Sequence, residues 1–275
     1  MQPTESAVLG AECGLVVAPA GCGKTYTIVS ALKAHKGKPA LVLTHTNAGV
    51  AALRQRLTDL AVPRSAFVLS TLDGWAMRAV AAFPMRSGHR IDVLDPRYSE
   101  IQVAAAALVA SRALDGMLRA TYGRLLVDEY QDCSEGQHAL VLALARVLPT
   151  CVFADPMQRI FSFRKGVLPP WGEVERCFRA IGTLKTPWRW KQVGEEAFGV
   201  WILEARDRLR DGCGVDLRTA GPNVRWVKDT GDVSARLRAL SRTLKQRRCN
   251  ESILVIGDPH QRDSRARVAR AARGL

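Results

Sequence analysis

The segment Ala18-Pro19-Ala20-Gly21-Cys22-Gly23-Lys24-Thr25 follows directly on the apolar run Leu15-Val16-Val17. A strand that feeds a glycine-rich turn, closes on Gly-Lys-Thr and opens a helix is a trap for phosphate. Backbone N–H groups from about Ala20 to Lys24 can converge on a β-phosphate, and the helix N-terminus adds its dipole. Lys24 then reaches the β- and γ-phosphates, and the Thr25 hydroxyl suits Mg²⁺. Downstream, Leu125-Leu126-Val127-Asp128-Glu129 is an apolar strand ending in two acids. Asp128 can hold Mg²⁺ directly or through water, and Glu129 can orient and deprotonate an attacking water. A solvated acidic turn explains a single acid at a strand end. It explains an adjacent pair, in the next-but-one strand from a phosphate loop, much less well.

These groups need a frame that brings strand ends together, and the rest of the chain has that rhythm. Short, almost wholly apolar runs alternate with helical patterns, as in a parallel sheet covered on both faces. The strands are expected at Gly14–Ala18, Ala40–Thr44, Ala66–Ser70, Arg124–Val127, Cys151–Ala154 and Gly182–Leu184. Helices are expected at Lys24–His35, Ala48–Leu60, Leu72–Ala82 and Gln137–Leu148. Residues 83–121 interrupt the rhythm with a polar Gly/Pro stretch and an Ala-rich helix around Ile101–Leu118, so they read as a small helical insertion. After Leu184 come a helix near Val193–Arg210, a strand at Val224–Val227, a helix at Val233–Gln246, a strand at Ser252–Ile256 and a helix at Gln261–Arg273. The organisation predicted is a first nucleotide-binding domain over 1–82 plus 122–185, the insertion over 83–121, and the incomplete start of a second α/β unit over 186–275.

Composition narrows the partners. A formal charge of +14 and a pI near 10.0, spread along 275 residues, favour a polyanion, and nucleic acid before membrane. A merely well-solvated basic surface is the alternative. The seven cysteines show no Cys-x-x-Cys spacing, and no histidine pair completes a zinc pattern. The odd count and the absence of a leader pattern predict a reducing, cytoplasmic setting, and no apolar run reaches membrane-spanning length.

Val127-Asp128-Glu129-Tyr130-Gln131-Asp132 resembles the Asp-Glu-x-Gln-Asp box of superfamily 1 helicases of the UvrD/Rep type, and further motifs follow in the family's order. Ala18–Thr25 is similar to its Ala-Gly-Ala-Gly-Ser-Gly-Lys-Thr loop, with Pro19 and Cys22 as departures. Leu43-Thr44-His45-Thr46-Asn47 resembles a Thr-Phe-Thr-Asn segment that touches single-stranded DNA, and Ser70–Trp75 a Thr-Phe-His-Ser-Phe segment. Ala154–Arg164 is similar to Gly-Asp-Pro-Asp-Gln-Ser-Ile-Tyr-Gly-Trp-Arg, and Pro187-Trp188-Arg189 to Asn-Tyr-Arg.

The resemblance implies a RecA-like P-loop NTPase fold, ATP and Mg²⁺ as cofactors, and single-stranded or tailed duplex DNA as partner. It implies catalytic roles for Lys24, Glu129, Gln158 as γ-phosphate sensor, and Arg189 as a guanidinium aimed at the γ-phosphate. Nucleotide contacts would come from Ala20, Gly21, Cys22, Gly23, Lys24, Thr25 and Tyr26, with Trp188 stacked on adenine; Thr25 and Asp128 would hold the metal. For Trp188 and Trp190 a packing pair in a hinge is the rival reading. DNA would be touched by His45, Thr46, Asn47 and Thr71, by Phe161 and Phe163, and by Arg164. Base–aromatic stacking tolerates any sequence, and Phe163 is favoured over Phe161 as the platform. The family's adenine-reading Gln has Thr4 at its position here, with Gln2 nearby, and the fifth and sixth motifs do not follow before Leu275. The chain is therefore expected to be a piece of a longer helicase more than a natural short protein. The function implied is a 3′–5′ ATP-dependent DNA helicase or its ATP-binding part. A nucleotide-gated DNA-binding subunit that serves a partner such as a nuclease, and an unrelated P-loop kinase or NTPase, are the alternatives.

Overall fold

The computed structural model describes residues 3–159, 170–224 and 238. Phe161, Phe163 and Arg164 lie outside the described residues, as do the strands and helices expected from Val224 on, except for Val224 itself and Arg238. The chain divides into two compact units, Met1–Val215 and Asp216–Leu275. In the second, the described residues include short helical turns over Leu217–Asn223, interrupted at Gly221.

The first unit is a six-stranded, all-parallel sheet between two layers of helices. Its strands are β1 Cys13–Val17, β2 Ala40–Thr44, β3 Phe67–Thr71, β4 Arg124–Val127, β5 Thr150–Ala154 and β6 Arg179–Thr183, in the order β3-β2-β4-β5-β1-β6. The helices are α1 Glu5–Gly10, α2 Lys24–Ala34, α3 Asn47–Asp59, α4 Leu72–Ala82, α5 Pro84–Ser87 and α6 Tyr98–Ala110. After them come α7 Asp115–Thr121, α8 Glu135–Ala145, α9 Trp171–Cys177, α10 Trp188–Lys191 and α11 Glu196–Arg210. No single helix among the described residues is long and apolar enough to cross a membrane.

Both faces of the sheet are dry, which explains why the central strands lack an apolar/polar alternation. Leu15, Leu41, Leu125 and Val152 point into one core with α4, α6 and α8. Their neighbours Val16, Val42, Leu126 and Phe153 point into the other, with α1, α2 and α3. Ile101, Ala105, Leu108 and Val109 of α6 belong to the first core, so the Ala-rich stretch of 83–121 packs directly over the main sheet. It is not one helix to Leu118: the Ser111 hydroxyl bonds Leu108 O and Arg112 takes a left-handed φ of 65°, so the chain turns before α7. The edge strand β6 begins earlier than its apolar pattern suggests, because Arg179 and Ala180 are exposed there.

Arg124, at the start of β4, is 4% exposed. Its guanidinium donates to Leu9 O at 2.5 Å, Val8 O at 3.0 Å and Ala11 O at 3.2 Å, meeting the carbonyls left unpaired where α1 ends. Burial lowers its pKa. Arg124→Met should cost about 2–4 kcal/mol in denaturant unfolding, since it leaves these carbonyls unpaired without opening a large cavity.

A parallel sheet puts the carboxyl ends of all its strands on one edge. The phosphate loop after β1, Thr44–Asn47 from the last residue of β2, Thr71 as the last residue of β3, Asp128-Glu129 after β4 and Asp155–Gln158 after β5 therefore share one side of the molecule. β5 lies between β1 and β4, so Asp155–Gln158 emerges between the phosphate loop and the acid pair.

Candidate nucleotide site

The turn after β1 has the backbone a phosphate cradle needs. Gly21 and Gly23 sit at φ 76° and 90°, and Gly23 caps α2. A Cβ on Gly21 would come within 2.7 Å of the Trp190 ring, and one on Gly23 within 2.8 Å of the Trp188 ring. The Arg189 N–H donates to Gly21 O at 3.0 Å. The Pro187-Trp188-Arg189 segment thus lies against the phosphate loop, as a ligand-pocket wall and a packing pair both require. The Arg189 guanidinium is 6.0 Å from the Trp190 ring centroid. Trp188 and Tyr26 flank a cleft of about 220 Å³ that also involves Pro3, Thr4 and Cys22. The Thr4 hydroxyl accepts from Ala7 N as the cap of α1.

Lys24 opens α2 and turns its ammonium to the end of β4. Nζ lies 3.1 Å from Asp128 Oδ1 and also contacts Glu129 Oε1. Burial pulls the Lys24 pKa down, but the two carboxylates outweigh it and the net shift is upward. Asp128 is pushed up by its burial despite that ammonium. The two acids share one cation at a point where a divalent ion has the matching charge. Glu129 adopts the left-handed conformation, φ 53° and ψ 42°, which is unusual outside glycine and recurs at functional sites.

The remaining residues of the acid box divide between core and site. Tyr130 is buried, with its hydroxyl 2.6 Å from His138 Nδ1 and its ring edge-on to Phe178. Gln131 Nε2 donates to Glu129 Oε2 at 2.8 Å, and Gln131 Oε1 accepts the Asp155 N–H at 3.0 Å. Gln158 Nε2 donates to Asp155 Oδ2 at 2.6 Å. Burial, and then the charge of Glu129, raise the Asp132 carboxyl to about 6.

One cavity of about 460 Å³ joins these groups: Thr25, Asp128, Glu129 and Gln158 line it together with His45 and Thr46. The expected metal ligands thus open onto the same space as the first of the expected DNA residues. Thr46 and Thr71 each accept from a backbone N–H three residues on, as caps of α3 and α4. A capping hydroxyl still has its own proton to donate. Asn47 is exposed in the first turn of α3, and Thr71 stands two strands from Asp128, at the end of β3. The motif reading assigned no role to Gln131, Asp155 or Arg206, though all three are bonded into this network.

Residues 94–176 match the family model of the UvrD/REP helicase N-terminal domain. An ATP-dependent helicase/nuclease subunit of Lactiplantibacillus plantarum is 31% identical over 117 residues, which is 42% of this chain and 9% of that protein. The chain thus aligns with under a tenth of the length of this curated relative. Among solved structures, the Arterivirus nonstructural protein 10 helicase in complex with DNA is similar at a TM-score of 0.36 and 14% identity, over 66% of this chain and 38% of that one. The ATPase EscN of the enteropathogenic E. coli type III secretion system is similar at a TM-score of 0.33 and 12% identity, over 99% and 71%. The ordered motifs stand on one edge of a parallel sheet, and residues 94–176 within it are similar to the N-terminal domain of UvrD/REP helicases.

Proposed function

We propose that this chain is the ATP-binding part of a DNA helicase or translocase, hydrolysing MgATP when single-stranded DNA is bound and moving 3′ to 5′. The observation that carries the reading is the clasp of Lys24 by Asp128 and Glu129, with Gln158 on the same cavity. An ammonium held by two acids beside a glycine cradle is a site organised for a phosphate-bound cation. Thr25 and Asp128 would hold Mg²⁺, which when bound offsets the charge gathering on the phosphates.

The chain's own groups divide the remaining work. Lys24 leaves the acids and neutralises phosphate oxygens. Glu129 takes the proton of the attacking water at its carboxylate. Gln158 donates its amide toward the γ-phosphate, and Arg189 supplies a guanidinium to the charge that develops there. Trp188 and Tyr26 give the base two apolar faces. The strong positive charge of the chain supports a nucleic-acid partner. In this reading residues 1–82 plus 122–185 are the nucleotide-binding core and 186–275 open a second RecA-like unit.

A second reading has one observation in its favour, the match to a helicase/nuclease subunit. In it the chain binds ATP and DNA without unwinding and signals to a nuclease partner. Phosphate release measured with and without single-stranded DNA tests the common part. We expect stimulation by DNA, and turnover indifferent to DNA would argue for an unrelated NTPase. Strand displacement on a 3′-tailed duplex then separates the two: unwinding by this chain alone eliminates the second.

A further inference from the structure

Asp155 ends β5, in the gap between the phosphate loop and the acid pair, and its side chain is 1% exposed. Arg206 of α11 reaches it as a fork, Nη1 to Oδ2 at 2.7 Å and Nη2 to Oδ1 at 2.5 Å. The same carboxylate accepts the Met157 N–H at 3.1 Å on Oδ1 and Gln158 Nε2 at 2.6 Å on Oδ2. Four donors fill the acceptor capacity of an ionised carboxyl group. On its other side the Asp155 backbone N–H is held by Gln131, whose amide nitrogen holds Glu129. One bonded path therefore runs from α11 to Glu129, with Gln158 as a branch.

Stability alone is a poor reason for such a pair. A buried ion pair loses in desolvation much of what it gains in attraction, and apolar packing of similar volume often serves a fold as well. A guanidinium fork does supply a fixed plane and a fixed rotation for the carboxylate. With that rotation fixed, the Gln158 amide is fixed as well.

We propose that Arg206 is a positioning residue for nucleotide hydrolysis: by fixing the Asp155 carboxylate it sets the Gln158 amide. This deepens the hydrolysis reading above and rests on it. α11 follows the Trp188-Arg189 turn in the chain, so the fork also ties the helix behind Arg189 to the turn that bears Gln158.

In the full chain, Arg206→Met should lower kcat for MgATP roughly 10- to 100-fold, with KM within about threefold, because orientation is lost more than binding. Asp155→Asn should behave alike, and the double variant should be no worse than either single one, as members of one unit are. Arg206→Lys keeps the charge but not the fork, and should recover part of the rate. Melting temperatures measured alongside separate positioning from scaffolding. A lower melting temperature with wild-type kcat per folded molecule overturns the proposal, and so does an Arg206→Met variant unchanged in both. A wild-type chain without ATP turnover overturns the hydrolysis reading and this inference with it; wild-type turnover shared by Arg206→Met overturns the inference alone.

Discussion

Glu129→Gln should bind nucleotide with near wild-type affinity and turn it over about 10²- to 10⁴-fold more slowly, the usual contribution of a placed general base. The substitution keeps the shape of the side chain, and its carbonyl oxygen can still accept from Gln131 Nε2, which now lies 2.8 Å from the carboxylate. Lys24 keeps Asp128 as a partner at 3.1 Å, so the cradle loses one acid and not its geometry. What disappears is the group that can accept a proton from water. Fluorescent-nucleotide titration and steady-state phosphate release measure the two halves of this expectation separately. Retained turnover would move the role of base to Asp132, the acid that shares the cavity and whose carboxyl is raised to about 6. The left-handed backbone at Glu129 adds a second readout. Glu129→Gly relieves whatever strain that φ stores, so it should lose turnover while costing less stability than the removal of a buried contact usually does.

How far the sequence is legible depends on how local each feature is. The phosphate loop and the acid pair are read directly, because each is a strand, a turn and a few residue types in succession. The sheet is legible for the same reason: its inner strands are buried on both faces and stand out as apolar runs. Where the environment is one-sided, the pattern fades, as in β6, whose exposed Arg179 hides the strand's beginning. The break between α6 and α7 is a backbone event at Arg112, a residue type that gives no warning of a positive φ. The Asp155–Arg206 fork joins residues 51 apart in sequence. Arg206 belongs to the run Arg206-Asp207-Arg208-Leu209-Arg210, and nothing in that run marks which arginine turns inward. Arg124 is hidden likewise, because a basic residue heading a strand reads as a solvated end, whereas here it closes the carbonyls of α1.

Lys24→Ala should abolish measurable ATP turnover, a loss of at least about 10²–10³-fold, since it removes the cation that meets the β- and γ-phosphates in the transition state. The clasp seen here adds an effect on the protein without nucleotide. Asp128 is only 8% exposed, and with Lys24 gone it faces Glu129 with the ammonium between them removed. Breaking a fully buried pair costs about 3–5 kcal/mol; Glu129, at 37% exposure, is partly screened, so about 1–3 kcal/mol is the expected loss at neutral pH. The pH dependence has a definite sign. Burial already raises the Asp128 pKa, and the lysine beside it is the main influence pulling the other way. Removing Lys24 raises that pKa further, and a carboxyl with a raised folded pKa contributes stability at low pH that is lost as the pH rises through that value. The stability gap between Lys24→Ala and the wild type should therefore be widest near pH 8 and shrink as the pH falls through the carboxylate range. Denaturant unfolding at pH 8 and pH 5 measures it, and a gap independent of pH would mean that Asp128 does not depend on Lys24 for its charge.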